Sequence, residues 1–246
     1  MKKIILLSLL LLCNLSYCQS NINGIGRFKV GMNISIIDSL KNEGYAYKEF
    51  DKVKDQRYFG SEQDLVNRLS RNESKKIMKS EMTIYEKKVS DNYQDYGYSP
   101  LVKEKRVFII KYYNVADIDI DLMELDFYND KLYEIKISEN PLLNLSLMKK
   151  YKYENKVELG EKYNCYNAYR EIEYQEQTLK TIFRNDEIYA YSLQSRSYHN
   201  CKELNILLCV VNDKTISENV FQIEKKIFID LMNDPNRSDL QSLKKL

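Results

Sequence analysis

Apolar residues along this chain recur with two different spacings, and each spacing predicts a different element. Ile34, Ile37 and Leu40 fall at helical intervals behind Asn33, a good N-cap, and Gly44 follows as a C-terminal stop, so a helix is expected between them. Ser61 with Asp64 resembles a capping box, and Leu65, Leu69 and Ile77 share one face of a second, strongly charged helix ending near Lys79. Asn140 with Pro141 opens a third helix carrying Leu143, Leu147 and Tyr151 on one side. A last amphipathic helix, capped by Thr215 or Ser217, bears Val220, Ile223, Ile227 and Leu231 and stops at Asp234 and Pro235.

Between these helices the pattern changes to partial alternation, which predicts strands at Met82 to Val89, Arg106 to Tyr113, Asp117 to Phe127 and Lys131 to Ser138. Further strands are expected at Tyr169 to Tyr174, Leu179 to Arg184, Glu187 to Ser197 and Glu203 to Val211. One segment recurs: Phe127–Tyr128–Asn129–Asp130–Lys131–Leu132–Tyr133 matches Phe183–Arg184–Asn185–Asp186–Glu187–Ile188–Tyr189 in its Phe, Asn, Asp and Tyr. Asn and Asp tolerate the positive φ of tight hairpin turns, so both copies predict hairpins. A capped helix lies upstream of each copy, as in a duplicated helix-then-sheet unit. The expected fold is therefore α+β, two tandem helix-plus-antiparallel-sheet units with a C-terminal amphipathic helix. Residues 19–138 form the first unit, with the charged helix inside an insertion at 46–104, and residues 139–246 form the second.

Phe28–Lys29–Val30–Gly31–Met32–Asn33, followed by Ile37 and Leu40, resembles the opening of BLIP-like modules. These modules occur in β-lactamase-inhibitor proteins and in the small lipoprotein of the outer-membrane assembly machine. In them an apolar-x-apolar-Gly-Met turn opens a helix that packs on an antiparallel sheet. The match runs from Phe28 to Gly44 plus the hairpins, and the second unit has Asn140–Pro141 where the Gly-Met turn would stand. The resemblance implies an exported bacterial protein that binds other proteins and is not an enzyme.

The N-terminus agrees with export. Lys2 and Lys3 precede the apolar run Ile4 to Leu12, which is too short for a membrane span of about 20 residues but long enough for the core of a signal peptide. Ser16 and Cys18 suit a signal-peptidase cut before Gln19, making residues 1–18 a signal peptide. The alternative is a lipid anchor on Cys18. Leu15 and Ser16 fit a lipobox, whereas Tyr17 is too large for its last position.

The formal charge of +2 comes from Lys2 and Lys3, so the remainder is formally neutral. A nucleic-acid binder would show a basic excess, and that class is set aside. With 30% charged and 43% hydrophobic residues the chain is globular in type. Its 21 tyrosines accompany abundant Lys, Asn and Ile, and AT-rich codons account for much of that bias.

Three cysteines remain after the signal. Cys209 lies in the apolar run Leu204 to Val211 and is expected as a buried thiol. Cys165 and Cys201 sit in polar settings, and in an oxidising compartment they are predicted to pair, with three free thiols as the alternative.

Recognisable chemistry is scarce. The single histidine, His199, stands two residues from Cys201, but nothing nearby resembles a protease signature, so a structural role is preferred. Asp117, Asp119 and Asp121 start like a calcium loop, yet Leu122 and Tyr128 replace the Gly and Glu such a loop needs, and a strand with an acidic solvent face fits better. Seven glycines form no phosphate-binding loop. No catalytic residue, cofactor or metal ligand is assigned.

The segment Asn92 to Pro100 carries Tyr93, Tyr96 and Tyr98 among small and polar residues, a composition suited to a partner-binding loop. The expected function is a non-catalytic protein-binding or inhibitory module of the bacterial cell envelope, periplasmic or secreted, with an unknown protein partner. A hydrolase with a carboxylate-based site and a lipoprotein assembly factor are the alternatives.

Overall fold

A computed structural model describes residues 22–50, 82–97, 99–138, 140–166, 171–183, 188–199 and 202–234. The predicted signal peptide with its Cys18–Gln19 cut, the charged helix at Ser61 to Lys79, Tyr98 and Cys201 lie outside these residues.

The short strands β1 (Gly24–Ile25) and β2 (Phe28–Lys29) pair with each other ahead of α1 (Ile36–Asn42). Next come β3 (Ala46–Glu49), β4 (Thr83–Lys87), β5 (Lys105–Val115), β6 (Ile118–Tyr128) and β7 (Lys131–Ser138). After α2 (Pro141–Lys150) follow β8 (Tyr153–Tyr166), β9 (Glu171–Phe183), β10 (Ile188–His199), β11 (Lys202–Asp213) and α3 (Lys214–Met232). Nine strands hydrogen-bond in one mixed sheet, in the order β3-β4-β5-β6-β7-β11-β10-β9-β8. β3 runs parallel to β4, whereas β4–β5, β5–β6, β8–β9 and β9–β10 are antiparallel.

This corrects the predicted fold class. Two tandem helix-plus-sheet units do not form, because β7 pairs with β11 and the ladder continues. Periodicity and turn chemistry mark strands and hairpins, but they carry no information about which strand edges meet. The supposed insertion at 46–104 likewise supplies β3 and β4, both members of the same ladder.

The chain divides into two compact units. One comprises Ile25–Lys136 and Asn212–Leu246, so α3 belongs with α1 and β2–β6. Its core holds Phe28, Ile37, Leu40, Ile84, Ile110, Met123 and Leu125, with Phe108 and Phe127 in edge-to-face contact at 5.7 Å. Asn129 and Asp130 both adopt positive φ between β6 and β7, the tight turn that their side chains predict. Asn33 is bridged to Lys131 of β7, and its Oδ1 accepts from the Ser35 amide. Tied to the sheet in this way, it sits upstream of the helix, which starts behind Ser35 instead.

The other unit comprises Met1–Gly24 and Ile137–Val211. Asn140 caps α2 as predicted, accepting from the Leu143 amide, and Leu143 and Leu147 are buried. β9 is one strand where the pattern predicted two. β8 has no counterpart among the predicted strands. Residues 153–162 of β8 are all exposed, so no apolar alternation announces it. A bulge interrupts its pairing with β9 between Leu159 and Lys162, leaving Gly160 and Glu161 opposite Glu176 alone.

Candidate functional site

In the unit formed by residues 25–136 and 212–246, the alternation of β5 and β6 sorts side chains to two faces. Phe108 opposite Leu125 and Ile110 opposite Met123 point into the core. On the other face Val107 stands opposite Asp126 and Ile109 opposite Glu124. A cavity of about 350 Å3 lies on this second face. Its walls include Val220, Phe221 and Glu224 of α3, and Tyr96, Gly97 and Pro100 of the tyrosine-rich segment.

A charged network lines it. Lys136 Nζ donates to Glu124 Oε1 at 3.0 Å and to Asp126 Oδ2 at 3.2 Å, and pairs with Glu134 Oε2 at 2.9 Å. Lys87 Nζ donates to Glu124 Oε2 at 2.7 Å. Lys105 Nζ lies 3.0 Å from Glu224 Oε2 and 3.5 Å from Asp126 Oδ2. The Tyr133 hydroxyl donates to Asp126 Oδ2 at 3.4 Å. From α3 and its cap, Asn212 donates to Glu134 and to Ser217, while the Leu101 amide donates to Glu224.

Asp126 is the most secluded of these groups, with 1% of its side chain exposed. Its Oδ1 is buried and has no hydrogen-bond partner among the described residues. Burial pushes its carboxyl up to about 6; Lys136 opposes that shift and Glu124 adds to it. Glu124 moves the other way. Burial opposes its ionisation, but Lys136 and Lys87 outweigh burial and hold it well below the usual carboxylate range. Burial disfavours the charge on Lys136 too, yet Asp126, Glu124 and Glu134 together raise it well above an ordinary lysine. Burial, then Asp126, pushes the Tyr133 phenol far up, so it stays a neutral donor.

The residues singled out from sequence fare differently. Tyr96 stacks on Phe228 of α3 with ring centroids 4.5 Å apart, so that ring is engaged inside its own unit. Tyr93 opens a single 3-10 turn behind Asn92 and is half-buried. His199 ends β10. Asp117, Asp119 and Asp121 are exposed along the β5–β6 hairpin, and among the described residues no acidic, His or Cys cluster could hold a metal ion. Cys165 is buried on β8 while its predicted partner Cys201 lies outside the described residues, so that bridge stands as a proposal. Cys209 is a free, buried thiol that burial pushes up to about 12.

None of the charged network was foreseen. A signal existed in Leu125–Asp126–Phe127 and Ile135–Lys136–Ile137, where single charges sit between apolar neighbours in predicted strands. Such a charge faces either water or a partner across the sheet, and one sequence does not distinguish the two. Comparisons with family models, curated proteins and solved structures find no match.

Proposed function

We propose that this chain is an exported, non-catalytic protein-binding module of the bacterial cell envelope. The observation that carries this reading is the set of exposed apolar side chains on α2 and β8. Among the described residues ten large apolar side chains are exposed, and five of them, Leu142, Leu145, Tyr153, Val157 and Leu159, fall between positions 142 and 159. Isolated exposed apolar residues need no explanation, but a concentration of them marks an interaction surface. β8 is also an outer strand of the sheet, and its Val157 and Leu159 project from the same face. An extended segment of a partner added along β8 would gain main-chain hydrogen bonds and set alternate side chains against these residues. The local resemblance at Phe28 to Asn33 supports the same functional class.

The test places a photoreactive residue at Leu159, at Tyr93 in the tyrosine-rich segment, or at the exposed polar position Glu173. Each chain, starting at Gln19, is irradiated with envelope extract. A discrete protein adduct from Leu159, lost on Val157→Glu, is expected. An adduct from Tyr93 alone would move the surface to the tyrosine-rich segment. Background labelling from both positions, equal to that of Glu173, would refute the binding reading.

A second reading, an envelope hydrolase with a carboxylate site, has one observation in its favour. Glu124 and Asp126 share Lys136 and are driven to opposite sides of the usual carboxylate range, the arrangement that separates a base from an acid. Turnover of envelope glycans or esters that disappears with Asp126→Asn, in a protein that remains folded, would support it over the binding module.

A further inference from the structure

The charged cavity has more structure than a set of ion pairs requires. Three ammonium groups, Lys87, Lys105 and Lys136, face four carboxylates, Glu124, Asp126, Glu134 and Glu224. Each ammonium already holds at least one carboxylate oxygen. With all seven ionised the walls carry one net negative charge. The oxygen left over is Asp126 Oδ1, which is buried and without a partner among the described residues. A buried carboxylate oxygen with no donor is costly, and the missing complement is a positively charged hydrogen-bond donor.

Size and lining narrow the choice. About 350 Å3 is at the small end of ligand pockets. Tyr96, Tyr133 and Phe221 give the walls aromatic surface next to the charges, suited to the methylenes of an amine and to its cation. An anion would meet a net negative wall whose lysines are already engaged. We infer that this cavity binds a small primary alkylammonium ion, drawn by the net negative charge that Asp126 and Glu224 complete on its wall.

Protonation of Asp126 removes the net negative charge that draws such a ligand. The groups facing Asp126 are Lys105 from β5, Glu124 from β6, Tyr133, Glu134 and Lys136 from β7, and Glu224 from α3. Burial pushes the Asp126 carboxyl up to about 6, so its ionised fraction falls roughly tenfold between pH 7.5 and pH 5. Affinity for an ammonium ion should fall with it.

The test is titration calorimetry on the chain starting at Gln19, with n-butylammonium as probe and butyrate and tetramethylammonium as comparators. Saturable one-to-one binding of n-butylammonium at pH 7.5, at least tenfold tighter than either comparator, is expected. It should weaken about tenfold at pH 5. Asp126→Asn should weaken it by at least tenfold, and Glu224→Gln, which brings the walls to neutrality from α3, should weaken it as well. Asp38→Asn, on the exposed face of α1, should change nothing. If Asp126→Asn fails to fold, the pH series on the unaltered protein and Glu224→Gln decide the matter. Absence of saturable binding at pH 7.5, equal binding of butyrate, or affinity that does not change between pH 5 and pH 7.5 would overturn the inference.

Discussion

Replacing Asp126 by Asn probes the electrostatics of the cavity without altering its shape. In the unfolded chain this carboxyl titrates at its ordinary value of 3.8, and in the folded chain burial lifts it to about 6. Between those values the folded protein holds a proton that the unfolded chain has released. Rising pH therefore favours the unfolded state, and stability falls as pH climbs through this window. Two units of separation at 1.36 kcal/mol each amount to about 3 kcal/mol, fully felt by pH 7. Glu124 has the opposite sign, its contribution being present above its ordinary value and lost as pH falls. In the folded state it titrates well below this window, so from pH 4 to 7 it cancels in the difference between the two proteins. Urea unfolding of the two proteins at several pH values from 4 to 7 gives that difference directly. Near pH 4 Asn should resemble the protonated Asp. Between pH 4 and pH 7 the variant should gain about 2.5 kcal/mol on the parent, whatever constant offset the lost contacts introduce. Two stability curves that run parallel across the range would refute the assignment of a raised carboxyl to Asp126.

Lys136→Met should cost about 3–5 kcal/mol in urea unfolding, because Glu124, Asp126 and Glu134 would each lose their shared cation; a cost below about 1 kcal/mol would mean the network contributes little. Gly160→Ala should lower stability by about 1–3 kcal/mol, since a Cβ there meets Glu176 Cβ at 2.9 Å inside the bulge, and thermal unfolding measures it. Tyr96→Ala removes the stack on Phe228 and should cost about 0.5–1.5 kcal/mol beyond the lost burial, read against Phe228→Ala in a double-mutant cycle. At pH 8 the Cys209 thiol, pushed up to about 12, should resist a thiol reagent in the native protein; in denaturant without reductant one thiol per mature chain should react if Cys165 and Cys201 are bridged, and three if they are not.

What could be read from sequence was local. Asn140–Pro141 states a helix start so plainly that α2 begins where expected, and Asn129–Asp130 places a hairpin turn. The stripe of Val220, Ile223, Ile227 and Leu231 turns inward along α3. The failures share a physical cause, which is that pairing depends on partners far along the chain. β8 carries Glu154, Lys156 and Glu158 in a strand exposed to water, so burial leaves no periodic trace in its residues. β7 pairs with β11, and no pattern within residues 131–138 announces it. The cavity was illegible for the same reason. Lys87, Glu124 and Lys136 come from three strands and acquire a common function only through register.

Because residues 137–211, which belong to one compact unit, interrupt the other, that other unit is written in two instalments, and its last instalment brings α3. At about 5–20 residues per second, synthesis of the intervening stretch takes roughly 4–15 s. Throughout that interval Glu124, Asp126 and Lys136 exist without the helix that later covers them, and the Val220 site in the core stands vacant. The share of Asp126's burial that α3 supplies is thus among the last to be added. A chain cut short before Lys214 would lack the cover that Val220, Phe221 and Glu224 supply, which makes the titration of Asp126 a reporter of completed folding.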